Sequence, residues 1–263
     1  MGIWMSDENY YLTEKGNIIQ AVHDHDAISP REFDNIGKLF LMDRSPLGNN
    51  ETDFDGWTDL LDHYNISQSG YGTKSLNTDV EHLIEAAKEC GDILLPVSTY
   101  EHGGITVYIG MPGDHFDGQW DCSFQGFIIA DNAVIEREYG SDSNAAEKAA
   151  AEMEEEIKLL SEWVNGEVFG YIEYDGKSGE EVGSCFGFYG DDPNTNGISD
   201  DTGKIIEELG FYTCIDECME DNADKLGIFV TPLPSLKERI SFAEQGSVEQ
   251  TQDYSTDRIA VAR

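Results

Sequence analysis

From residue 192 the chain reads Asp192-Pro193-Asn194-Thr195-Asn196-Gly197-Ile198-Ser199-Asp200. Oxygen-bearing side chains at the first, third, fifth and ninth positions, with glycine at the sixth, match the first part of a calcium loop. Glycine there permits the sharp turn that wraps oxygens around a hard cation. The twelfth position, where such loops carry a bidentate glutamate, is Gly203. Asp192, Asn194, Asn196 and Asp200 are therefore expected to bind calcium weakly, if at all. A plain Asp/Asn/Gly loop capping a helix that starts near 200 accounts for the same residues. No other cofactor is expected.

A second candidate is His23-Asp24-His25-Asp26. In a strand the two histidines share one face and the two aspartates the other. Two histidines are too few for a closed zinc site, and His102 and His115 could join them only through folding, so exposed strand-end residues are the simpler account. Cys214 and Cys218 would share a face of a helix over 211–221, where small buried side chains are expected. Five cysteines and no Cys-x-x-Cys fit a reduced, cytoplasmic setting better than a disulfide framework. No Gly-x-Ser-x-Gly, Walker A or dinucleotide fingerprint occurs.

The densest chemistry is acidic. Glu152, Glu154, Glu155 and Glu156 sit in a helix predicted over 143–165, whose Met153, Ile157, Leu160 and Val164 form one apolar stripe. The four glutamates crowd the positions between, with one i,i+4 partner for Glu154 in Lys158. Carboxylates on adjacent helical turns approximate the charge array of a nucleic acid, and they are the candidate partner-binding residues. A solvated helix face is the plainer alternative.

Other elements must position these residues. Residues 1–16 read as a loose lead-in. Strands are predicted near 17–28, 38–42, 92–98, 104–110, 126–130, 167–174, 181–189 and 227–231. Helices are predicted over 57–64, 79–89 (capped by Thr78 with Glu81, stopped by Gly91), 132–139 and 200–209. Strands come in adjacent pairs with helices between pairs. The reading is a single α+β domain over 17–241 with a mainly antiparallel sheet, followed by a mobile tail over 242–263.

Charge narrows function. The 263 residues carry 53 Asp and Glu against 16 Lys and Arg, a net charge of −37, spread over both halves of the chain. Binding to nucleic acid through a general basic surface is excluded, since phosphate contacts need Lys and Arg; attraction to anionic membranes fails likewise. No apolar run approaches the roughly 18–20 residues of a membrane span. No secretory signal is expected at the N-terminus, and Met1-Gly2 with Ser6 matches a myristoylation pattern that lacks the second, polybasic signal. Such self-repulsion costs stability. A basic partner, a salty cytoplasm or bound cations could each account for it.

An ordered set of motifs carries a resemblance. The chain has Phe33-Asp34-Asn35-Ile36-Gly37, then Tyr100-Glu101-His102-Gly103-Gly104, then Trp120-Asp121-Cys122-Ser123-Phe124-Gln125-Gly126-Phe127-Ile128. Ser184-Cys185-Phe186-Gly187-Phe188-Tyr189-Gly190 follows. Over about 33–191 this resembles a family of proteins of phages, plasmids and bacterial accessory regions. The family pattern runs Trp-Asp-Asn-Leu-Gly, Tyr-Asp-His-Ser-Gly-Ile, Trp-Asp-Ser-Gly-Gln-Val-Gly-Phe-Ile and Ser-Cys-Trp-Gly-Phe-Tyr-Gly. This chain departs from it at Gly103, at Cys122-Ser123-Phe124 and at Phe186. The resemblance implies a mobile-element setting and no particular activity. Tyr100, His102, Trp120, Asp121, Gly126, Ser184 and Cys185 read as packing residues at strand ends, with Trp120 in the core and His102 paired to a buried Asp121.

The leading expectation is an acidic, non-enzymatic inhibitor from a phage or other mobile element. It would imitate nucleic acid and occupy the channel of a basic host protein, such as a restriction or RNA-guided nuclease. Two alternatives stand beside it. One is a cation-dependent enzyme with carboxylate ligands near 191–201. The other is a halophile's soluble protein, against which 22 Ile, 11 Val and five Cys weigh.

Overall fold

The structure, a computed structural model, describes residues 8–70, 72–115 and 120–227. It is α+β, with two antiparallel sheets in one domain. In chain order the elements are β1 (Glu8–Thr13), β2 (Ile18–His23), a 3-10 turn (Pro30–Glu32), β3 (Lys38–Leu41), α1 (Trp57–His63), α2 (Thr73–Cys90), β4 (Ile93–Glu101), β5 (Ile105–Ile109) and β6 (Cys122–Ala130). Then come α3 (Asn132–Tyr139), α4 (Ala145–Val164), β7 (Val168–Tyr174), β8 (Glu181–Tyr189), α5 (Ile198–Thr202), β9 (Ile205–Tyr212), α6 (Ile215–Asp221) and α7 (Ala223–Leu226). One sheet has the order β3-β6-β4-β5, the other β8-β7-β2-β1-β9.

The four-stranded sheet is buried on both faces. Side chains alternate across a strand, so β6 sends Phe127 and Ile129 to one face and Ile128 and Ala130 to the other. Phe127 and Ile129 join Phe40, Leu94 and the apolar stripes of α1 and α2. Ile128 and Ala130 join Val97, Val107 and the stripe of α4, Ala149, Met153, Ile157 and Leu160. Each fully buried large side chain contributes about 1.5–3 kcal/mol. In the five-stranded sheet, α6 and α7 cover Tyr10, Leu12 and Ile18 on one face, while Ile198 of α5 packs with Ile19 and Tyr171 on the other. A loop ties the sheets together: the indole of Trp163 in α4 donates to the Ala27 carbonyl, and the Tyr189 hydroxyl of β8 to the Ile28 carbonyl.

Three edges are closed chemically or sterically. Along β5, Asn165 accepts from the Ile105 N–H (2.9 Å) and donates to its carbonyl (2.8 Å), Ser161 accepts from the Val107 N–H (3.0 Å), and a His115 ring nitrogen lies 3.0 Å from the Ile109 carbonyl. Along β3, the Glu51 carboxylate accepts from the Leu39 N–H while the Glu51 N–H donates to the Leu39 carbonyl, both at 2.8 Å. β9 carries Glu207 and Glu208, two register shifts and α6 against it. Such devices keep sheet edges from pairing with other chains.

Several expectations are corrected. Residues 8–13 belong to no lead-in; they form β1, paired on both sides by β2 and β9. Tyr10 and Leu12 face α6 and α7 while Tyr11 between them packs on the other face with Ile19 and Ile198, a period-2 pattern within a polar stretch. The helix expected at 79–89 begins at Thr73 behind Gly72, so Thr78 is interior, with its hydroxyl bonded to the Lys74 carbonyl; Gly91 does end it, left-handed at φ 86°. Asp131 caps α3, its side chain accepting from the Val134 N–H. The helix expected at 200–209 is short α5 followed by β9. Gly203 (φ 99°) ends the helix, and Ile205 and Ile206 suit the strand that β1 can pair. Gly227 closes α7 where a strand was expected. Residues 228–231 of that strand and the tail at 242–263 lie outside the described residues.

Two motif glycines are close-approach positions. Gly126 has φ 141°, and a Cβ there would stand 1.9 Å from the Phe40 carbonyl oxygen; Gln125 beside it is the extra residue of a bulge in β6. A Cβ on Gly37 would meet Ile128 at 2.4 Å. Gly183 in β8 has open space around it. We expect Gly126→Ala to lower thermal stability by several kcal/mol through both clash and strain, while Gly183→Ala stays within about 1 kcal/mol of the parent in the same melting experiment.

Candidate functional site

The acidic helix was the first candidate, and the structure divides its four glutamates. The stripe that docks α4 on the sheet turns Glu156 inward beside Ile157, and its side chain is 7% exposed. There it accepts from the Ile36 N–H (2.8 Å), the Gly37 N–H (3.3 Å) and Nη1 of Arg31 (2.9 Å). Arg31 is as buried, and its Nε and Nη2 form a bidentate pair with Glu51 at 3.0 and 2.8 Å. Burial pushes the Glu156 carboxyl above the ordinary range, against the pull of Arg31 and the two backbone N–H groups. Glu156 is thus removed from the partner-binding set: it is a core residue that organises the Phe33–Gly37 motif. Glu152, Glu154 and Glu155 remain on the surface. Glu152 accepts from the Tyr139 hydroxyl. Lys158 lies 3.9 Å from Glu155 rather than pairing with Glu154.

The aromatic motif is also relocated. Trp120 precedes β6 instead of lying in it, and is 97% exposed, so it fills no core. Asp121 and His102 meet at 3.8 Å (Oδ2 to Nδ1), but with side chains 49% and 75% exposed, not as a buried pair. The Tyr100 ring stacks parallel to His102, centroids 5.9 Å apart. Together these residues form a surface cluster at the β4–β5 turn and the entry to β6. Ser184 and Cys185 are exposed on β8, and Phe186 there lies over Gly170 with half its surface in solvent. Phe127 and Ile128 of the same motif are wholly buried and Gly126 packs against β3, so this inner part of the motif serves the core.

The loop at 192–200 uses its oxygens on itself. Asp192 accepts from the Asn194 N–H (2.9 Å) and amide (3.0 Å), which hold its carboxyl below the usual range. Asn196 accepts from the Ile198 N–H (3.1 Å) and donates to the Gly190 carbonyl (2.9 Å). Asp200 lies exposed in α5, which starts two residues earlier than expected. Among the described residues no three His, Cys, Asp or Glu side chains converge as a metal site would need. Cys218 is buried and burial raises its thiol to about 11, the state of an inert core cysteine; exposed Cys214 precedes α6.

One cleft was not foreseen. Its volume is about 450 Å³, and Tyr11, His23, His25, Phe169, Asp191 and Phe211 line it. His23 stacks on His25 at 5.9 Å and tilts over Phe169 at 4.4 Å. Rings and the carboxylates of Glu8 and Asp191 around one hollow suit a cationic side chain. The alternation in β1 was the available signal, but the cleft needs β1, β2, β7 and β9 side by side, a pairing no local pattern reveals. His102 and His115 lie elsewhere and do not join the two histidines.

Compared with known proteins, the chain matches no family model, no curated protein and no solved structure.

Substitutions should separate the roles. Glu156→Ala is expected to cost about 3–5 kcal/mol, the range for breaking a buried pair, and Glu156→Gln less, since it keeps an acceptor for the Ile36 N–H. Glu154→Ala, Glu155→Ala, His102→Ala and Trp120→Ala should each stay within about 0.5 kcal/mol in denaturant melts, as exposed side chains do. A large loss at Trp120 would mean that its ring packs against the fold after all.

Proposed function

We propose that this chain is an acidic, non-enzymatic inhibitor encoded by a phage or other mobile element. It acts in the host cytoplasm by imitating nucleic acid in the channel of a basic protein, such as a restriction or RNA-guided nuclease. The observation that carries this reading is carboxylate left without counter-charge. Sixteen basic residues face 53 acids. Six ion pairs of Lys or Arg with Asp or Glu form among the described residues, and two of them share Arg31 in the interior.

Glu152, Glu154 and Glu155, with Glu147 earlier on α4, keep their carboxylates at the surface. Successive helical turns lie about 5.4 Å apart, and duplex DNA offers one charge per roughly 1.7 Å of axis. A rigid helix therefore presents an array that a phosphate-binding channel can accept. Electrostatic complementarity of this kind favours fast association and strong salt sensitivity. Exposed Trp120 and His102, the latter stacked on half-buried Tyr100, add aromatic surface of the type that anchors interfaces. Nothing in the geometry of residues 191–201 favours the cation-dependent enzyme, whose ligands would be the oxygens that cap the loop.

The test is competition. Immobilised protein is incubated with host lysate and challenged with duplex DNA or with salt. A retained protein should be displaced by both, and its affinity should fall steeply above about 0.15 M salt, where exposed charges are screened beyond roughly 8 Å. Reversing Glu152, Glu154 and Glu155 to Lys should weaken the complex without unfolding the chain. A partner that still holds DNA while bound would sink the mimicry, and a chain that folds only in molar salt would point to acidity as solvation.

A further inference from the structure

β8 is the exception among the sheet edges. It closes one side of the five-stranded sheet; among the described residues it pairs with β7 alone, and residues 181–187 are exposed apart from half-buried Gly183. Residues 182–190 carry no charge, in a chain of which 26% is charged. Val182 and Phe186 leave 55% and 51% of their surfaces in solvent. Among the described residues, the main-chain groups of β8 that face away from β7 receive one contact, from the Cys185 thiol to the Phe186 carbonyl at 3.9 Å. Register shifts at Val182 and Gly187 bound a regular ladder over Gly183, Ser184, Cys185 and Phe186. On β3 and β5 the equivalent groups are taken up by Glu51, Ser161, Asn165 and His115.

We infer that β8 is a docking edge, and that its occupant is an extended segment of a partner protein with a short apolar centre and Lys or Arg on both flanks. The segment adds a strand at Gly183–Phe186, with main-chain bonds supplying affinity and Phe186 a contact for an apolar side chain. Charge selects the flanks. Exposed Glu180 and Glu181 precede the neutral run, and exposed Asp191 and Asp192 follow it. The same charges disfavour a second copy in the antiparallel register that sets Phe186 against Phe186: there Glu181 of each strand would face Asp191 of the other and Glu180 would face Asp192, and like charges juxtaposed across strands are destabilising. The inference rests on the proposed function only for the basic character of the partner.

Two synthetic peptides of equal charge test it, each flanked by two lysines at either end. One has an alternating Val/Thr centre; the other has prolines there and cannot pair as a strand. The Val/Thr peptide should slow hydrogen exchange at the outward amides of Gly183–Phe186 in the full chain. It should bind at least roughly tenfold more tightly than the proline peptide, and Cys185→Lys should weaken it by a similar factor by placing a charge on the edge. Cys185→Ser and Glu85→Lys, the latter on the exposed face of α2, should change its affinity less than about twofold, since the edge stays neutral in both. Should Cys185→Lys fail to fold, Ser184→Lys puts the charge on the adjacent exposed residue. Equal binding of the two peptides, with equal losses in Glu85→Lys and Cys185→Lys, overturns the docking edge but leaves the acidic inhibitor standing. No binding of either peptide at low salt overturns both. Slow exchange of the outward amides in the free chain, or a dimer by sedimentation, overturns the inference by giving the edge to this protein itself.

Discussion

The guanidinium of Arg31 is where the four-stranded half of the fold is fastened. It reaches Glu51 through two nitrogens, Glu156 through a third contact and the Gly37 carbonyl through a fourth. Each carboxylate then holds backbone: Glu51 the Leu39 N–H of β3, Glu156 the N–H groups of Ile36 and Gly37. One buried cation thereby fixes the approach of α4, the entry to β3 and the closure of the β3 edge. Isolated charges in such a place would be costly. These are paired and hydrogen-bonded, and their value lies as much in one defined arrangement as in net stability.

Around that point the sequence tolerates little bulk. Gly37 lets the motif strand lie on Ile128, and Gly126 lets β6 pass the Phe40 carbonyl. The helical layers on either side can then close on a thin sheet. The five-stranded half is built differently, with a covered face at α6 and α7 and a partly open one at the aromatic cleft. Its charge-poor outer strand contrasts with the acidic composition of the rest of the chain.

Much of this was legible in the residues. The stripe Met153, Ile157 and Leu160 marks α4, the Gly-rich turn between Tyr174 and Glu181 marks a hairpin, and Gly91 marks the end of α2. What escaped was set by long-range pairing. β1 and β9 lie about 195 positions apart and are strands because each borders the other. Glu156 looks like its neighbours Glu154 and Glu155, and only Arg31, 125 positions away, distinguishes it. Trp120 seemed a core residue by type, yet it sits just ahead of the strand whose alternation would have buried it. The exposed motif residues show that aromatic composition near a strand end does not by itself decide burial.

The closure of the β5 edge has a consequence for synthesis on the ribosome. Ser161 and Asn165, which occupy that edge, follow Ile109 by more than 50 positions. At about 5–20 residues per second, the strand emerges several seconds before the helix that shields it. During that interval the growing chain carries an apolar strand with one open side, and its negative charge is what keeps neighbouring nascent chains apart. The acidity read above as a means of recognition thus also serves as a solubilising agent in the protein's earliest moments. Neutralising the first half of the chain should show itself as aggregation during translation before any defect appears in the finished fold.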